Sequence, residues 1–597
     1  MEQKNLLLAI ALTVAILLGW QFFYEMPKMR QQQAAQQLAA EQLAAGQGKA
    51  AQNGTSQGAP TATGQAAIPS DQLTAQTLDR ATALSQSPRV SIDSPRLRGS
   101  ISLKGGRIDD LVLKDYNDTV EKGSPNVVLL SPLGAKDAYY ADFGWTGGDS
   151  KMALPGTDTL WQADGTSLGS GKTVTLSWDN GQGLIFKRSF AIDDNYMFTV
   201  NQSVENKGSA EVRLRPYARV KRFGTPAHPS QTYVLHEGMV GEFGGKLQDP
   251  SYKDVRSRAD EPEKIYSYAS TGGWGGITDK YWLVAQIADA NEPLNGDFFY
   301  EPKNDSYQAD YAGAERQIAP GATVSTTQKV FAGAKEVNLL RYYRDHDNII
   351  NFDSAIDFGW YWFFTKPLML LLDWLYKHVG NFGIAILILT VFVKSLMFPL
   401  ANKSYKSMSK MKLLAPQIQV MREKFGDDKM KLNQEMMALY KKEKVNPAAG
   451  CLPVFVQIPV FFSLYKVFYV TIEMRHAPFF GWIHDLSAPD PTSILNLFGL
   501  IPWDPAQYVT MPIFGPVIHL LSIGIWPLIM GLTMFLQQRL NPTPPDPIQA
   551  KLFTAMPIIF TFMLGTFPAG LVIYWAWNNT LSILQQRFIM WRMGVKQ

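Results

Sequence analysis

The sequence predicts a multi-domain membrane protein in which a polytopic α-helical bundle with six transmembrane helices is joined to a large all-β domain. Three observations lead to this prediction. Residues 358–592 are crowded with Phe, Leu, Ile, Met and Trp, residues 90–350 alternate apolar and polar side chains in short stretches, and a separate apolar run lies near the N-terminus. Apolar runs of about 20 residues can span a bilayer, whereas alternation with a period of two is typical of strands.

An N-terminal transmembrane anchor is predicted at residues 1–25. Lys4 precedes the apolar run Asn5–Tyr24, which is long enough to cross the hydrocarbon core. A cleaved signal peptide is the alternative, but the run continues into aromatic residues and lacks a small-x-small cleavage site. Residues 26–89 are rich in Gln, Ala, Gly, Ser and Thr and nearly lack aromatic residues, so they are predicted to be a disordered linker.

An all-β domain is predicted at residues 90–350. Apolar and polar residues alternate over residues 174–178, the turn sequence Asp-Asn-Gly follows at 179–181, and alternation resumes from Leu184. This succession is typical of a β-hairpin. Helical periodicity is scarce before the end of the domain, which favours a β-sandwich.

An amphipathic helix lying in the membrane interface is predicted at residues 357–380. The run FGWYWFF at 358–364 is typical of the aromatic belt of a bilayer, and the leucines that follow Pro367 share one helical face. A transmembrane helix is the alternative, but Pro367 and the charges of Asp373 and Lys377 argue against it.

A core of five transmembrane helices is predicted at residues 381–592. Its spans are expected at 382–400, 451–471, 516–536, 552–567 and 569–585. A helical hairpin is predicted at 402–447, after the first span, because two amphipathic segments follow one another there. These segments hold eleven Lys/Arg against five Asp/Glu. The positive-inside rule places this hairpin in the cytoplasm. Six spans then put both termini in the cytoplasm and the β-domain outside.

Several function classes are disfavoured by composition. The net charge is only +4, which gives no overall signature of nucleic-acid binding. The single cysteine, Cys451, excludes an intramolecular disulfide, and the seven histidines show no metal-binding spacing. In the β-domain, His228 and His236 lack carboxylate neighbours at a meaningful spacing. The sequence therefore predicts no catalytic residue, no metal ion and no cofactor.

Lys394 is a cation inside the first core span. If the helix begins near Phe382, a rise of ~1.5 Å per residue puts Lys394 about 18 Å along it, past the midplane of a ~30 Å hydrocarbon core. Its long side chain can reach the headgroups by snorkelling, or it can line a hydrated cavity. Thr390 lies one turn earlier on the same helical face.

Polar residues on two other spans favour the cavity. Tyr574, Asn578 and Ser582 recur every four residues on the last span, Asn579 lies beside them, and Gln457 belongs to the second core span. Hydrogen bonding between helices is the alternative. It explains a lysine poorly, because none of these three spans contains an acidic residue. The sequence thus predicts a polar groove in the cytoplasmic half of the bundle, beside an apolar wall.

Five stretches of the helical region carry a family resemblance: GWYWFFTKPL, VFVKSLMFPL, PQIQVMREKFGDDKMKLNQEMMALYKKEKVNPAAGCLPVFVQIPVF, RHAPFFGWIHDLSAPDP and TFPAGLVIYWAWNNTLSILQQ. They resemble the bacterial YidC membrane protein insertases, a family that includes the mitochondrial Oxa and chloroplast Alb insertases. The similarity covers residues 355–590 almost continuously. The anchor and the β-domain resemble the Gram-negative form, whose periplasmic domain is a β-supersandwich similar to galactose mutarotases.

The resemblance implies a multi-pass protein of the Gram-negative inner membrane in which the linker at 26–89 and the β-domain at 90–350 are periplasmic. The five core helices would enclose a hydrophilic groove, open to cytoplasm and lipid, in which a cation attracts the acidic or polar part of a substrate. With the polar residues above, the groove comprises Lys394, Thr390, Gln457, Asn578, Asn579 and Ser582. The apolar slide beside it comprises Ile458, Pro459, Phe461, Ile558, Thr561, Tyr574 and Trp575.

The chain departs from the family pattern at three places. Lys394 stands where the family usually has arginine, which favours plain electrostatic attraction over forked, bidentate pairing. Trp575 replaces a usual tyrosine. The connection before the third core span is longer than in the commonest form, with added residues at 494–511.

The function that this resemblance implies is insertion and chaperoning of inner-membrane proteins, alone or with the Sec translocon and its accessory subunits. The implied partners are nascent membrane proteins, the lipid bilayer, and the ribosome and signal-recognition receptor through the basic hairpin and the tail; no specific nucleic-acid sequence is implied. A polytopic transporter whose β-domain binds a ligand outside the cytoplasm is the alternative. A sugar-active β-sandwich enzyme tethered to the membrane is the third hypothesis.

Overall fold

Residues between Arg89 and Ala334 form two β-sheets that pack against each other around one apolar core. The computed structural model describes residues 77–592 except 148–151, 227–234, 260–264, 426–427, 444, 446–451, 504, 509–510, 512–514, 516–517, 519–520 and 542–546. The predicted anchor, 1–25, and most of the predicted linker, 26–89, lie outside the described residues.

The strands follow one another along the whole domain. They are β1 (Arg89–Asp93), β2 (Leu97–Ser102), β3 (Arg107–Asn117), β4 (Asn126–Leu130), β5 (Tyr139–Gly147), β6 (Gln162–Ala163), β7 (Ser167–Leu168), β8 (Thr173–Asp179), β9 (Leu184–Ile192), β10 (Met197–Asn206), β11 (Val212–Phe223), β12 (Gly238–Phe243), β13 (Lys246–Gln248), β14 (Tyr266–Thr271), β15 (Trp274–Thr278), β16 (Trp282–Ile287), β17 (Pro293–Glu301), β18 (Ser306–Gly313), β19 (Arg316–Ile318) and β20 (Thr323–Ala334).

The two sheets are large and almost entirely antiparallel. In the described residues, one has eleven strands with the main order β14-β17-β18-β11-β5-β3-β2-β1-β7, while β19 pairs with β11 and β4 pairs with β3. The other has nine strands in the order β13-β12-β15-β16-β20-β10-β9-β8-β6. Only β1 and β7 run parallel among the described strand pairs. The predicted all-β domain is therefore confirmed as a large β-sandwich.

The predicted hairpin is formed by β8 and β9. The strands pair antiparallel, with Trp178 opposite Phe186. Gly181 in the turn has a φ of 68°, a left-handed conformation that glycine adopts without steric cost. The side-chain oxygen of Asn180 accepts hydrogen bonds across the turn, including one from the backbone N–H of Leu184 at 2.9 Å. The Asp-Asn-Gly sequence thus closes the hairpin through its own turn chemistry.

A row of charged residues crosses the outer face of the eleven-stranded sheet. Asp297, Asp310, Arg219 and Asp142 lie on four successive strands, each opposite the next in the register. Their sequence neighbours pack in the core between the sheets, so the alternation of strand side chains turns this row away from the core. Arg219 donates two hydrogen bonds to Asp142, at 2.8 and 2.6 Å. Asp310 lies between Arg219 and another carboxylate, that of Asp297.

Asp310 is expected to make the stability of the protein pH-dependent. Burial, reinforced by the carboxylate of Asp297, raises the pKa of Asp310 to about 7 from its ordinary value of 3.8. Because the folded state binds this proton more tightly than the unfolded chain does, the stabilisation is complete below pH 4 and is lost as the pH rises through 7. The loss is on the order of 4 kcal/mol.

Thermal unfolding of the full chain in detergent, followed from pH 4 to pH 8, measures this effect. We expect Asp310→Asn to flatten the pH dependence and to raise the unfolding temperature at pH 8, since a neutral amide replaces a carboxylate that is costly to ionise. The Gln308 amide that hydrogen bonds to Asp310 can also pair with asparagine. Parallel pH profiles of the variant and the wild type would refute the raised pKa.

Helices lie mainly after the β-domain. In the described residues they are α1 (Arg80–Ser85), α2 (Tyr252–Arg256), α3 (Val337–His346), α4 (Trp362–Val379), α5 (Phe382–Leu396), α6 (Phe398–Phe425), α7 (Lys429–Lys442), α8 (Leu452–Val470), α9 (Ile525–Leu540), α10 (Pro547–Leu564) and α11 (Ala569–Arg592). Helix α9 begins later than the start expected at residue 516, which itself lies outside the described residues. Helix α11 continues past the expected end at residue 585.

Helix α4 occupies the segment for which an interfacial helix is predicted. It buries Met369 and Leu372 and exposes Trp362 and Trp374, so its two faces differ as an amphipathic helix requires. Its glycine C-cap, Gly380, has a φ of 71° and separates it from α5. Its place in the membrane interface stays a prediction.

A bend of 69° separates α5 from α6. Pro399 explains the break, because it lacks the N–H that a continuing helix would donate to Ser395. The first arm of the predicted hairpin consequently begins at Phe398, before the expected boundary at residue 402. No single helix of the described residues is long and apolar enough to cross a membrane, whereas the bent pair of α5 and α6 together has the length and composition of a span.

The two arms of the hairpin pack through the apolar stripes that the sequence predicts. Leu414 of α6 and Leu439 of α7 are buried together with Val445. Around them lie Met411, Ile418, Met421 and Tyr440. The charged residues of both helices are left on the outside, as the helical spacing of the apolar residues requires.

Polar contacts join the β-domain to the end of α8 and to the segment just before α4. The Lys466 ammonium of α8 pairs with Asp357, and the same carboxylate oxygen accepts the backbone N–H of His236 at 2.8 Å. Glu473, just after α8, accepts the backbone N–H of Val337 at 3.1 Å. The β-domain therefore lies at the same end of the helical region as the C-terminus of α8.

Candidate functional site

The candidate site is built from three helices, α5, α8 and α11. Lys394 lies in the last turn of α5, Ser582 in α11 and Gln457 near the start of α8. Helix α11 contacts both of the others. The polar positions that the sequence places on three separate helical faces are therefore brought to one region of the bundle.

Lys394 and Ser582 form the polar contact at the centre of this region. The Lys394 Nζ donates a hydrogen bond to the Ser582 Oγ at 2.7 Å, and this hydroxyl donates in turn to the carbonyl oxygen of Asn578 at 2.8 Å. Ser582 is buried, and Lys394 is half-buried. In the described part of the chain, no carboxylate forms an ion pair with Lys394. A protonated Lys394 would thus present a positive charge to a solute entering from the half-exposed side.

Gln457 and Tyr574 form a second polar contact between α8 and α11. The Gln457 Nε2 donates to the Tyr574 hydroxyl at 3.0 Å. Tyr574 is fully buried and Gln457 is half-buried. Tyr574 and Ser582 are eight residues apart on α11, which separates their Cα atoms by about 12 Å along the helix axis. The groove predicted from the sequence would extend over this distance.

Two predicted groove residues point elsewhere. The Thr390 hydroxyl is buried and donates to the carbonyl oxygen of Ile386 in its own helix at 2.7 Å. Asn579 is buried toward α9, where its amide donates to Thr533 Oγ1 at 3.4 Å. Both residues have hydrogen-bond partners within the bundle, and neither contacts Lys394 through these bonds.

The predicted slide residues divide into exposed and packed side chains. Ile458 on α8 and Ile558 on α10 are exposed, the latter by 63%. Phe461 stacks on Trp575, with ring centroids 4.8 Å apart and planes at 11°, and Pro459 is half-buried on α8. The exposed isoleucines offer an apolar surface, whereas the aromatic pair holds α8 against α11.

Thr561 is buried between α10 and α9. A Cβ atom placed on Gly531 would lie only 2.0 Å from the Thr561 Oγ1, so the two helices approach closely at this point. The Thr561 hydroxyl donates to the carbonyl oxygen of Pro557 in its own helix at 2.7 Å. Its side chain therefore packs against α9 and is not exposed on the surface that presents Ile558.

Two contacts of the helices that form the site were not predicted from the sequence. Tyr405, buried near the base of the hairpin, lies within hydrogen-bonding reach of Ser582. The ion pair between Lys466 and Asp357 fixes the far end of α8, the helix that carries Gln457 and Ile458. The burial of Tyr405 could have been predicted from its place on the apolar stripe of α6. No local sequence pattern predicts the ion pair.

The described residues contain no group of three or more His, Cys, Asp or Glu side chains that could hold a metal ion. A cation, several neutral hydrogen-bonding groups and an apolar surface are what the site offers. Such a set can attract and solvate a polar or acidic segment while an apolar segment lies alongside.

Two family models match the chain, and together they cover most of it. The YidC periplasmic domain matches residues 89–371, and the 60Kd inner membrane protein matches residues 374–596. The chain is thus similar in both parts to an inner membrane protein with a periplasmic domain.

Curated relatives are similar over the full length. Proteins named membrane protein insertase YidC from Methylobacterium sp. (strain 4-46) and from Brucella suis biovar 1 (strain 1330) are each 52% identical, with 100% of this chain and 96% of each relative covered. These names describe an insertase and not an enzyme.

Solved structures give more distant matches. An active YidC insertase crystal structure with the first transmembrane domain resolved has 18% identity, covers 84% of this chain and 92% of that chain, and has a TM-score of 0.35. A putative aldose 1-epimerase from Escherichia coli K12 has 12% identity, covers 41% of this chain and 98% of that chain, and has a TM-score of 0.29. By its full-length relatives and both domain matches, the chain belongs to the YidC family of membrane protein insertases.

Proposed function

We propose that the protein inserts inner-membrane proteins and helps them to fold, through a polar groove centred on Lys394. The observation that supports this function best is the contact between Lys394 and Ser582. The half-buried Lys394 ammonium donates to a neutral hydroxyl, that of Ser582. A carboxylate from a substrate would be a stronger hydrogen-bond partner. An acidic or polar segment of a nascent chain would be drawn to this position.

The apolar segment of the same substrate would lie along Ile458 and Ile558. These side chains are exposed on α8 and α10, and lipid or a substrate helix can cover them without loss of a polar contact. The polar segment would occupy the groove only transiently, while the apolar segment passes into the bilayer. No nucleotide or covalent step is needed, because burial of about 20 apolar residues in lipid is itself favourable.

Six membrane helices are part of the proposal, with both termini in the cytoplasm. The basic hairpin of α6 and α7 would then be cytoplasmic, in agreement with the positive-inside rule.

The proposed partners are the Sec translocon with its accessory subunits, the ribosome and the signal-recognition receptor. The ribosome and the receptor would bind through the basic hairpin and the tail. The surplus of Lys and Arg in residues 402–446 suits contact with anionic ribosomal RNA or lipid headgroups.

Site-specific crosslinking tests the path of the substrate. A photoreactive amino acid at Ile458 or Ile558 is expected to crosslink to the membrane segment of a stalled nascent chain. Leu584 is a matched control, because it is also exposed but lies on another face of α11 than Ser582. Equal crosslinking from all three positions would show that substrates contact the bundle without a preferred path.

Depletion of the protein tests the function as a whole. We expect insertion of a small substrate, such as a ring subunit of ATP synthase, to fail on depletion and to recover when the chain is supplied again. Normal insertion after complete depletion would contradict the proposed function, whatever the crosslinking shows.

A further inference from the structure

An apolar surface lies on the connection between α8 and α9. Ten consecutive residues, Ile494–Trp503, form a compact turn that we call the apolar knob. Its exposed large side chains are Ile494, Leu497, Phe498, Leu500, Ile501 and Trp503. Leu500 is the most exposed of them, at 83%. Apolar side chains grouped this closely in water mark a contact with another molecule or with a membrane.

Several backbone polar groups of the apolar knob are hydrogen-bonded within the turn itself. Asn496 is central to this arrangement, because its side-chain oxygen accepts the N–H of Gly499 at 3.0 Å and its amide donates to the carbonyl oxygen of Trp503 at 3.1 Å. The Asn496 carbonyl oxygen accepts the N–H of Ile501 at 3.0 Å, and Ser493 accepts from Phe498 at 2.8 Å. A loop that bonds to itself in this way can enter an apolar phase at lower cost than an open loop.

Two bulky residues at the tip adopt left-handed backbone conformations. Leu497 has a φ of 49° and Phe498 a φ of 60°. Bulky side chains rarely occupy this region, because of steric contact between Cβ and the backbone. Such conformations persist where the surroundings impose them, often where a loop has a function. Here they coincide with the exposure of both apolar side chains.

Charge and position indicate what covers the apolar knob. Residues 491–522 contain one acidic residue, Asp504, and neither lysine nor arginine. The base of the connection is fastened to the first turn of α9: Ile525 N–H donates to Thr492 Oγ1 at 3.0 Å and Trp526 N–H donates to Asp490 Oδ2 at 2.9 Å. The knob therefore lies at the end of a helix of the membrane core, on the side where α8 meets the β-domain. Protein interfaces usually have a polar rim, whereas a lipid surface requires none.

We propose that the apolar knob inserts into the outer leaflet of the bilayer and anchors the α8–α9 connection in lipid. The aromatic residues Trp503 and Tyr508, with ring centroids 5.8 Å apart, would lie at the level of the headgroups. Leu497, Leu500 and Ile501 would reach the upper part of the acyl chains. This inference does not depend on the groove around Lys394.

Spin labelling in lipid vesicles tests this inference. The native cysteine, Cys451, is replaced by alanine, and a single nitroxide is attached to Leu500→Cys or to Ile494→Cys in the full chain. The protein is reconstituted into vesicles of phosphatidylethanolamine and phosphatidylglycerol with no other protein present. Lys303→Cys, on the exposed surface of the β-domain, is the control for water, and Leu536→Cys on α9 is the control for the bilayer.

The expected result is a label that collides frequently with oxygen and several-fold less often with a water-soluble nickel chelate than the label at Lys303→Cys. Frequent collision of both knob labels with the chelate would show that the knob is in water and would overturn the proposal. Low collision rates with both reagents, with dipolar broadening of the spectrum, would indicate contact with a second copy of the chain and would overturn it equally. The collision rates are compared at both labelled positions, because a local disturbance by one label would not be reproduced at the other.

Discussion

Lys394→Ala is expected to reduce the insertion of substrates that carry an acidic residue near their membrane segment by about 10- to 100-fold. The range follows from the ~1.5–3 kcal/mol that a hydrogen bond to a charged group contributes. Lys394→Arg is expected to keep most of the activity, because the attraction depends on charge and the guanidinium can also donate to Ser582. The measurement is the rate of insertion of matched substrates into vesicles that contain the purified variant.

Two controls separate the charge from general damage to the bundle. Ser395→Ala changes the adjacent residue, whose hydroxyl is exposed and bonds within its own helix to Val391, and it should leave the rate unchanged. A substrate whose acidic residue is replaced by its amide should be inserted almost equally by the wild type and by Lys394→Ala. Equal rates of the wild type and Lys394→Ala on the acidic substrate would contradict a role for the positive charge.

Asp357→Asn is expected to destabilise the protein by about 3 kcal/mol and to impair insertion although it lies far from Lys394. Lys466 is buried in the structure, and its ammonium would lose the carboxylate with which it pairs. Burial acts to raise the pKa of Asp357, but the nearby Lys466 ammonium outweighs it and holds that pKa below its ordinary value. Asparagine has a single side-chain oxygen, so it can still accept the N–H of His236 or that of Gly359 but not both, and the variant removes the charge together with one of these hydrogen bonds.

Loss of the ion pair should change the tilt of α8 and thereby impair insertion, because the pair holds the end of the helix opposite to Gln457 and Ile458. Thermal unfolding in detergent and the insertion rate are measured for Asp357→Asn, Lys466→Met and the double variant. We expect the double variant to be more stable than either single variant, which is the signature of a coupled pair. Lys104→Ala breaks an exposed pair with Asp158 in the β-domain and should cost less than about 1 kcal/mol. Additive losses in the double variant would exclude the coupling.

Local sequence patterns were sufficient to predict the elements whose structure depends on one stretch of the chain. The hairpin of β8 and β9 follows from alternation and from the Asp-Asn-Gly turn, and the packing of α6 on α7 follows from apolar residues at helical spacing. The break after α5 could also have been predicted from Pro399, although the expected span continues to residue 400.

Contacts between distant segments could not be predicted in the same way. The spacing of Ser582 and Tyr574 shows that they share a face of α11. Which helix packs against each face of α11, however, depends on the packing of the whole bundle. Asn579, one position from Asn578, consequently contacts Thr533 on α9. Lys466 and Asp357 are 109 residues apart in the chain, and no periodicity joins a helix to a loop over that distance.

The close approach of α9 and α10 has a consequence for how this sequence can change. A Cβ atom on residue 531 would fall 2.0 Å from the Thr561 Oγ1, so the two positions share one volume. A larger residue at 531 is compatible with this packing only if residue 561 becomes smaller or the helices move apart. Substitutions at the two positions are therefore linked, and a variant accepted at one of them sets which residues the other can accept in later generations.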